Sequence, residues 1–214
     1  MEKRTVLILI RHGECQANVE GVFRGRIDFP LTERGIEQAT LSAEELKKYP
    51  ISAIYTSPLT RCVKTAEAVS AAKNIEVFKD KGLNNIKLGD WEGKPKREIK
   101  KNFPGLWKLW VTEPEKLRIH DGETLAEVQK RALQSVKRIV SKHEGQTILI
   151  VTHRAVLKPL IAGLLCIPQP YFWKIHMDSC AYTIIEYEEA RGFTLTLFNY
   201  TMHLKSYVEE RDSA

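Results

Sequence analysis

The stretch Thr5-Val-Leu-Ile-Leu-Ile-Arg-His-Gly-Glu14 constrains this chain more than any other, because an apolar, β-rich run ends abruptly in a cation, an imidazole and a glycine. Thr5, Val6, Ile8 and Ile10 favour extended backbone, and a near-continuous apolar run reads as a central strand covered on both faces, as in parallel sheets. Gly13 has access to backbone angles barred to other residues, so the chain is expected to turn sharply there and leave His12 exposed at the strand end. Open α/β sheets bind ligands at the carboxyl ends of their strands. In that position His12 is a candidate nucleophile and Arg11 a candidate anion clamp.

An isolated Arg-His pair could simply mark the end of a strand. Two further stretches argue against that. Thr147-Ile-Leu-Ile-Val-Thr-His153 is again a buried-strand pattern ending in a histidine, and Ile51-Ser-Ala-Ile-Tyr-Thr-Ser-Pro-Leu-Thr-Arg61 runs from a short strand through a Ser-Pro turn into a helix that opens near an arginine. Three strand ends therefore offer two histidines and two arginines. The expected fold is an α/β three-layer sandwich, a mostly parallel sheet with helices on both faces.

With 214 residues, 43% of them hydrophobic, and no Ser/Gly/Pro-rich linker, the chain is expected to form one domain over residues 1–214. Its apolar runs are about strand length, short of the roughly 20 residues a membrane helix needs. The first run is also too short for a signal peptide, so a cytoplasmic protein is expected, with no membrane partner. Cys15, Cys62, Cys166 and Cys180 show no Cys-x-x-Cys pairing, which argues against a zinc cluster and for reduced thiols. Cys15 and Cys62 flank the candidate pocket residues, where positive potential would lower a thiol pKa, but plain packing is their default reading. The net charge of +6 is dispersed, without an aromatic-basic stripe, so nucleic acid is not an expected partner. The run Lys94-Pro-Lys-Arg-Glu-Ile-Lys-Lys101 is the best basic patch and reads as a solvated helix face. His120, His143, His176 and His203 are scattered without ligand spacing, so no metal or other cofactor is expected.

Along the chain, residues 19–29 read as a surface loop at the pocket mouth. Thr32 stands at a helix N-cap, followed by Ile36, Ala39, Leu41, Ala43 and Leu46 on a helix to about Lys47. A second helix runs from beyond Pro58 to about Lys73, with Val63, Ala66, Val69 and Ala72 on one face, and Ile75 to Phe78 forms a strand. Residues 81–118, with Trp91, Trp107 and Trp110 and no clean period, read as a cap of loops and short helices in which substrate selectivity resides. The tryptophans are read as packing residues. A long helix follows to about Lys142, then a helix from Ala155 to Leu165, and a hairpin pairs Tyr182–Tyr187 with Phe193–Phe198. The polar tail from Thr201 could close over the pocket or pair with another subunit.

Taken in order, Arg11-His12-Gly13-Glu14, Asn18, Pro30-Leu-Thr-Glu-Arg-Gly35, Ser57-Pro-Leu-Thr-Arg61, Gly89-Asp-Trp-Glu-Gly93 and Val151-Thr-His153 resemble the signature of the histidine phosphatase superfamily, which includes phosphoglycerate mutase. The intermediate segments look most like its small metal-independent phosphatases, of the broad-specificity and phosphoserine-cleaving kinds. The resemblance implies the phosphoglycerate mutase-like fold and phosphoryl transfer through a phosphohistidine at His12. It implies further that Arg11, Arg61 and His153 hold the phosphoryl oxygens and that Asn18 adds a hydrogen bond. His12 would then need to be neutral at the attacking nitrogen, held by a carboxylate or a backbone carbonyl, whereas His153 works best protonated against phosphate. The expected partner is a small phosphorylated metabolite.

Two departures from the family pattern stand out. Members commonly carry glutamine where this chain has Arg24, so an extra cation is available for a carboxylate or second phosphate. They typically carry a glutamate four residues before Gly89, and this chain has Asn85 there, next to Asn84. An amide cannot give up a proton, and general acid catalysis is typically worth about 10²–10⁴ in rate. Asp90, Glu92, Asp121 and Glu123 are the candidate replacements. A phosphomonoesterase is the first expectation, a catalytically impaired binding or partner subunit the second, as a homodimer or with an active relative. Phosphoglycerate mutase ranks third, because the cap has no room for the usual mutase insertion.

Overall fold

The computed structural model describes residues 3–205. Among these residues six strands form one sheet: β1 (Thr5–Arg11), β2 (Ile51–Thr56), β3 (Val77–Lys79), β4 (Thr147–Thr152), β5 (Tyr182–Glu188) and β6 (Gly192–Tyr200), in the order β3-β2-β4-β1-β5-β6. β3, β2, β4 and β1 are mutually parallel, while β5 runs antiparallel to β1 and to β6. Seven α-helices accompany the sheet among the described residues: α1 (Gln16–Val19), α2 (Glu33–Leu46), α3 (Thr60–Lys73), α4 (Lys96–Asn102), α5 (Pro104–Thr112), α6 (Leu125–Lys142) and α7 (Arg154–Leu164).

The two faces of β1 explain its sequence. Alternate side chains point to opposite sides of a strand, so Leu7 and Leu9 join a core with Val136 of α6 and Leu157 of α7. Ile8 and Ile10 join a second core with Ala43 of α2 and Ala66 of α3. Every residue from Leu7 to Ile10 is fully buried, as a strand with helices on both faces requires.

Local signals start the helices where they should. The Thr32 side chain accepts from the backbone N–H of Gly35 at 3.0 Å. Thr124 and Glu127 form a reciprocal capping box at the head of α6. Asn74, in the left-handed region at φ 55°, ends α3. The expected helix faces hold except at their rims: Ile36 is exposed, because Gly35, Gln38, Ala39 and Ser42 form the buried stripe of α2, and Ala72 is exposed at the last turn of α3. The cap segment contains α4, α5 and short 3-10 turns. Trp91 is buried against Phe23 at a ring distance of 4.9 Å, and Trp107 and Trp110 are half-buried.

Gly13 differs from expectation in its reason rather than its position. Its φ is not in the left-handed region. A side chain there would instead sit 2.5 Å from the Gly35 carbonyl oxygen, and one on Gly35 would sit 1.9 Å from the Glu14 carbonyl oxygen. Two glycines thus let the loop after β1 lie against the first turn of α2. Glu14 reinforces the contact by accepting from the Thr32 hydroxyl at 2.7 Å. Towards the end of the described residues, Leu204 packs on Ala39 and Cys180, and His203 meets Ser42. The remainder of the tail lies outside the described residues.

Gly35→Ala is therefore expected to destabilise the protein by about 1–3 kcal/mol, as overpacking does. Gly105→Ala, on an exposed helical position with open space around it, is expected to stabilise it by about 0.4–1 kcal/mol. Urea unfolding midpoints of the two variants check both signs.

Candidate active site

Register brings the site together. β1 and β4 pair in parallel with Arg11 opposite Thr152, so the next residues, His12 and His153, leave the sheet side by side. The His12 N–H donates to the Thr152 carbonyl at 3.0 Å, and the two imidazoles meet edge to face with centroids 5.1 Å apart. β2 ends at the same level, where Ser57 N–H donates to the Val151 carbonyl.

His12 lines a cleft yet is only 2% exposed, rather than open to solvent as expected. Its Nδ1 lies 2.7 Å from the Gly13 carbonyl oxygen, which only accepts, so Nδ1 carries the hydrogen and Nε2 keeps its lone pair. A backbone carbonyl, not a carboxylate, orients the ring. Burial, followed by the guanidinium groups of Arg61, Arg11 and Arg24, holds its pKa well below the ordinary histidine value. The ring is neutral and its nitrogen is available for attack.

His153 is the N-cap residue of α7, and its Nε2 lies 2.8 Å from Ser57 Oγ. Burial and then Arg61, His12 and Arg24 push its pKa well down too. Burial and these cations thus favour the neutral ring.

The cations fall into two groups. Arg11 and Arg24 line the cleft with His12 and His153. Arg11 is 1% exposed and donates through Nη1 to the Met177 carbonyl at 2.8 Å. Arg61, fully buried, donates through Nη1 to Ile27 O and through Nη2 to Gly25 O, which braces the loop that carries Arg24. Asn18 turns its carbonyl oxygen onto the Cys15 N–H at 2.9 Å. Neither Arg61 nor Asn18 stands among the residues of the cleft wall. Cys62 is fully buried, and burial raises its thiol pKa despite Arg61 beside it, in keeping with a packing role.

Asn85 does line the cleft. Its Nδ2 donates to Gly25 O at 2.6 Å, and its Oδ1 is buried with no partner among the described residues. Its backbone carbonyl is clamped by Arg131, whose guanidinium also holds the carbonyls of Gly82 and Asn84 and pairs with Glu123. The four candidate replacement acids are elsewhere. Glu123 is committed to Arg131, Glu92 accepts from the backbone of Arg26 and Leu88, and Asp90 and Asp121 are exposed beside His120 and Lys87. No Asp or Glu is among the described residues of the cleft wall.

Sequence reasoning missed three kinds of wall residue. Lys96, assigned to a solvated helix face, lines the cleft from the first turn of α4. Arg154 follows His153 directly and lines it from the first turn of α7. Trp110 and Phe172, with rings 5.6 Å apart, supply an aromatic side. Lys96 and Arg154 were visible only as charges beside a motif, and Phe172 lies far from every motif.

A neutral imidazole with a fixed tautomer, set among guanidinium groups at the carboxyl ends of parallel strands, defines a site for anion binding and nucleophilic transfer. The sequence pattern of the histidine phosphatase superfamily (branch 1) matches residues 7–201, and the chain belongs to that family. It is 36% identical to phosphoserine phosphatase 1 of Hydrogenobacter thermophilus over 97% of this chain and 98% of that protein. It is 31% identical to the adenosylcobalamin/alpha-ribazole phosphatase of Salmonella typhimurium, over 90% of this chain and 95% of that one. The structure of YhfR of Bacillus stearothermophilus superposes with a TM-score of 0.90 at 38% identity, covering 94% of this chain and all of that one.

Neutral buried histidines also make stability depend on pH. In the unfolded chain both imidazoles titrate near 6.5, while folded they stay neutral to well below it. In that window the unfolded chain binds more protons, so stability falls as the solution is acidified. The double variant His12→Asn, His153→Asn is expected to lose less stability than the parent between about pH 7 and about pH 5. Urea midpoints across that range give the two slopes.

Proposed function

We propose that this protein is a metal-independent phosphatase that cleaves small phosphate esters through a phosphohistidine at Nε2 of His12. The observation that carries the reading is the bond from His12 Nδ1–H to Gly13 O, which leaves Nε2 unprotonated among buried guanidinium groups. Phosphoryl transfer asks for positioning and charge stabilisation. Arg11, with its planar donors, would take the equatorial oxygens, and His153 would donate to the same group, its pKa raised by the bound dianion. Arg61 would act through the positive potential that it adds at both imidazoles, and Asn18 through the loop that it caps. The relatives are named for phosphoserine and alpha-ribazole phosphatase activity, which supports a small phosphorylated metabolite as substrate. Four free cysteines support a reducing compartment such as the cytoplasm.

Asn85 favours a second reading. With an amide at the acid's place, an alkoxide must leave without a proton, so a binding or partner subunit with residual activity is the alternative. In excess chelator, an aryl phosphate with an acidic phenol is expected to turn over and to leave acid-labile label on His12, and His12→Ala is expected to abolish both. Loss of turnover in chelator, restored by a divalent ion, overturns metal independence. Phosphate binding without turnover of any ester gives the partner-subunit reading the lead. Asn85→Glu is expected to raise alkyl phosphate turnover about tenfold or more below neutral pH, and aryl phosphate turnover much less.

A further inference from the structure

The two imidazoles of the site are held by different kinds of partner. Nδ1 of His12 meets a backbone carbonyl, Gly13 O at 2.7 Å, and a carbonyl only accepts, so that nitrogen is fixed in its protonated form. Nε2 of His153 meets the Ser57 hydroxyl at 2.8 Å. A hydroxyl has one hydrogen to donate and two lone pairs, and it rotates to suit its neighbour. It satisfies an unprotonated ring nitrogen by donating and a protonated one by accepting. Ser57 can therefore serve either state of His153 without moving a heavy atom.

Ser57 is placed to act on the ring rather than on substrate. It is fully buried and is not part of the cleft wall, whereas His153 is. Its N–H donates to Val151 O at 3.0 Å, which ties it to β4 two residues before His153. Its Oγ accepts the Leu59 N–H at 3.4 Å at the turn into α3. One lone pair and the hydroxyl hydrogen are left for the imidazole. Cys62 is the other group beside the ring, with Sγ 3.4 Å from Nε2 and 3.8 Å from Nδ1. Sulfur is a weak hydrogen-bond partner, and burial keeps this thiol protonated.

The charged and titratable groups that face His153 come from several elements. They are Arg61 and Cys62 of α3, His12 after β1, Arg24 from the loop before α2 and Arg131 of α6, and none of them is a carboxylate. Arg11 and Arg154 stand on the same cleft wall. The head of α7, whose N-cap residue is His153, adds the positive end of a helix dipole. With burial, these surroundings favour the neutral ring in the free protein. A phosphoryl group carrying a charge of about −1.5 to −2 reverses the balance. The imidazolium then needs an acceptor at Nε2.

We propose that Ser57 is a positioning residue for His153: its hydroxyl donates to Nε2 of the neutral ring in the free protein and turns to accept from Nε2–H of the imidazolium when a phosphoryl group is bound. The inference rests on the phosphatase reading given above. One proton is taken up, from solvent when the substrate arrives as the dianion and from the substrate when it arrives as the monoanion. It ends on Nε2, the Nδ1 hydrogen stays in place, and the Ser57 hydrogen stays on Oγ. The proton leaves again with the released phosphate. A carbonyl in place of Ser57 would lock a hydrogen on Nε2, and a carboxylate would hold the imidazolium throughout.

Two measurements on the full chain test this. Nitrogen NMR of histidine-labelled protein at neutral pH, with His153→Gln to assign the signals, reads both ring nitrogens with and without saturating inorganic phosphate. In the free protein Nδ1 is expected to carry the hydrogen and Nε2 none, and with phosphate both are expected to be protonated. In Ser57→Ala the basic limb of the kcat profile for p-nitrophenyl phosphate is expected to move down by about one pH unit, and phosphate affinity at neutral pH to fall about tenfold. The direction follows because a bond from an imidazolium is roughly twice as strong as one to a neutral ring, so losing both disfavours the charged form. A hydrogen on Nε2 in the free protein, or a ring that stays neutral with phosphate bound, overturns the proposal. So does a Ser57→Ala variant whose kcat falls by the same factor at every pH, as loss of packing alone would produce. Should Ser57→Ala fail to fold, the spectra of the parent decide. In each of these failures, label on His12 of the parent leaves the phosphatase reading standing. A parent that neither binds phosphate nor takes label overturns both.

Discussion

The parallel pairing of β1 with β4 is the constraint on which the rest of the site depends. Neighbouring strands lie about 4.8 Å apart, so two residues leaving adjacent parallel strands at one level are obliged to touch. Arg11 opposite Thr152 makes His12 and His153 that pair. A slip of one residue would turn the alternating cores inside out, because Leu7 and Leu9 serve one helical layer and Ile8 and Ile10 the other. The cost of repacking both layers thus protects the placement of the two imidazoles. No bond between the imidazoles is needed.

The second constraint is electrostatic. Burying guanidinium groups is costly unless their donors are satisfied, and here backbone carbonyls supply much of that satisfaction. Met177 O holds Arg11, Gly25 O and Ile27 O hold Arg61, and Gly82 O, Asn84 O and Asn85 O hold Arg131. A carbonyl accepts a hydrogen bond without cancelling the charge. The cluster therefore keeps its positive potential, which a set of carboxylate partners would have consumed. Burial first, and that potential after it, hold the pKa of both histidines down. Carboxylates stand beside two of them as well, Glu123 at Arg131 and, at 3.8 Å, Asp28 at Arg61.

Much of the fold was legible because its signals are local. The continuous burial of β1, the Thr32 cap and the hairpin at β5 and β6 each follow from neighbouring residues. His12, Arg11 and His153 were legible because strand ends are where a parallel sheet presents side chains. What was not legible depends on contacts between distant segments. Gly13 is required by Gly35, twenty-two positions away, and not by its own dihedrals. Glu92 and Glu123, candidate acids by nearness in sequence, are occupied by backbone amides and Arg131. Lys96 belongs to a basic run whose other members gave no reason to single it out, and only the docking of α4 turns it toward the cleft.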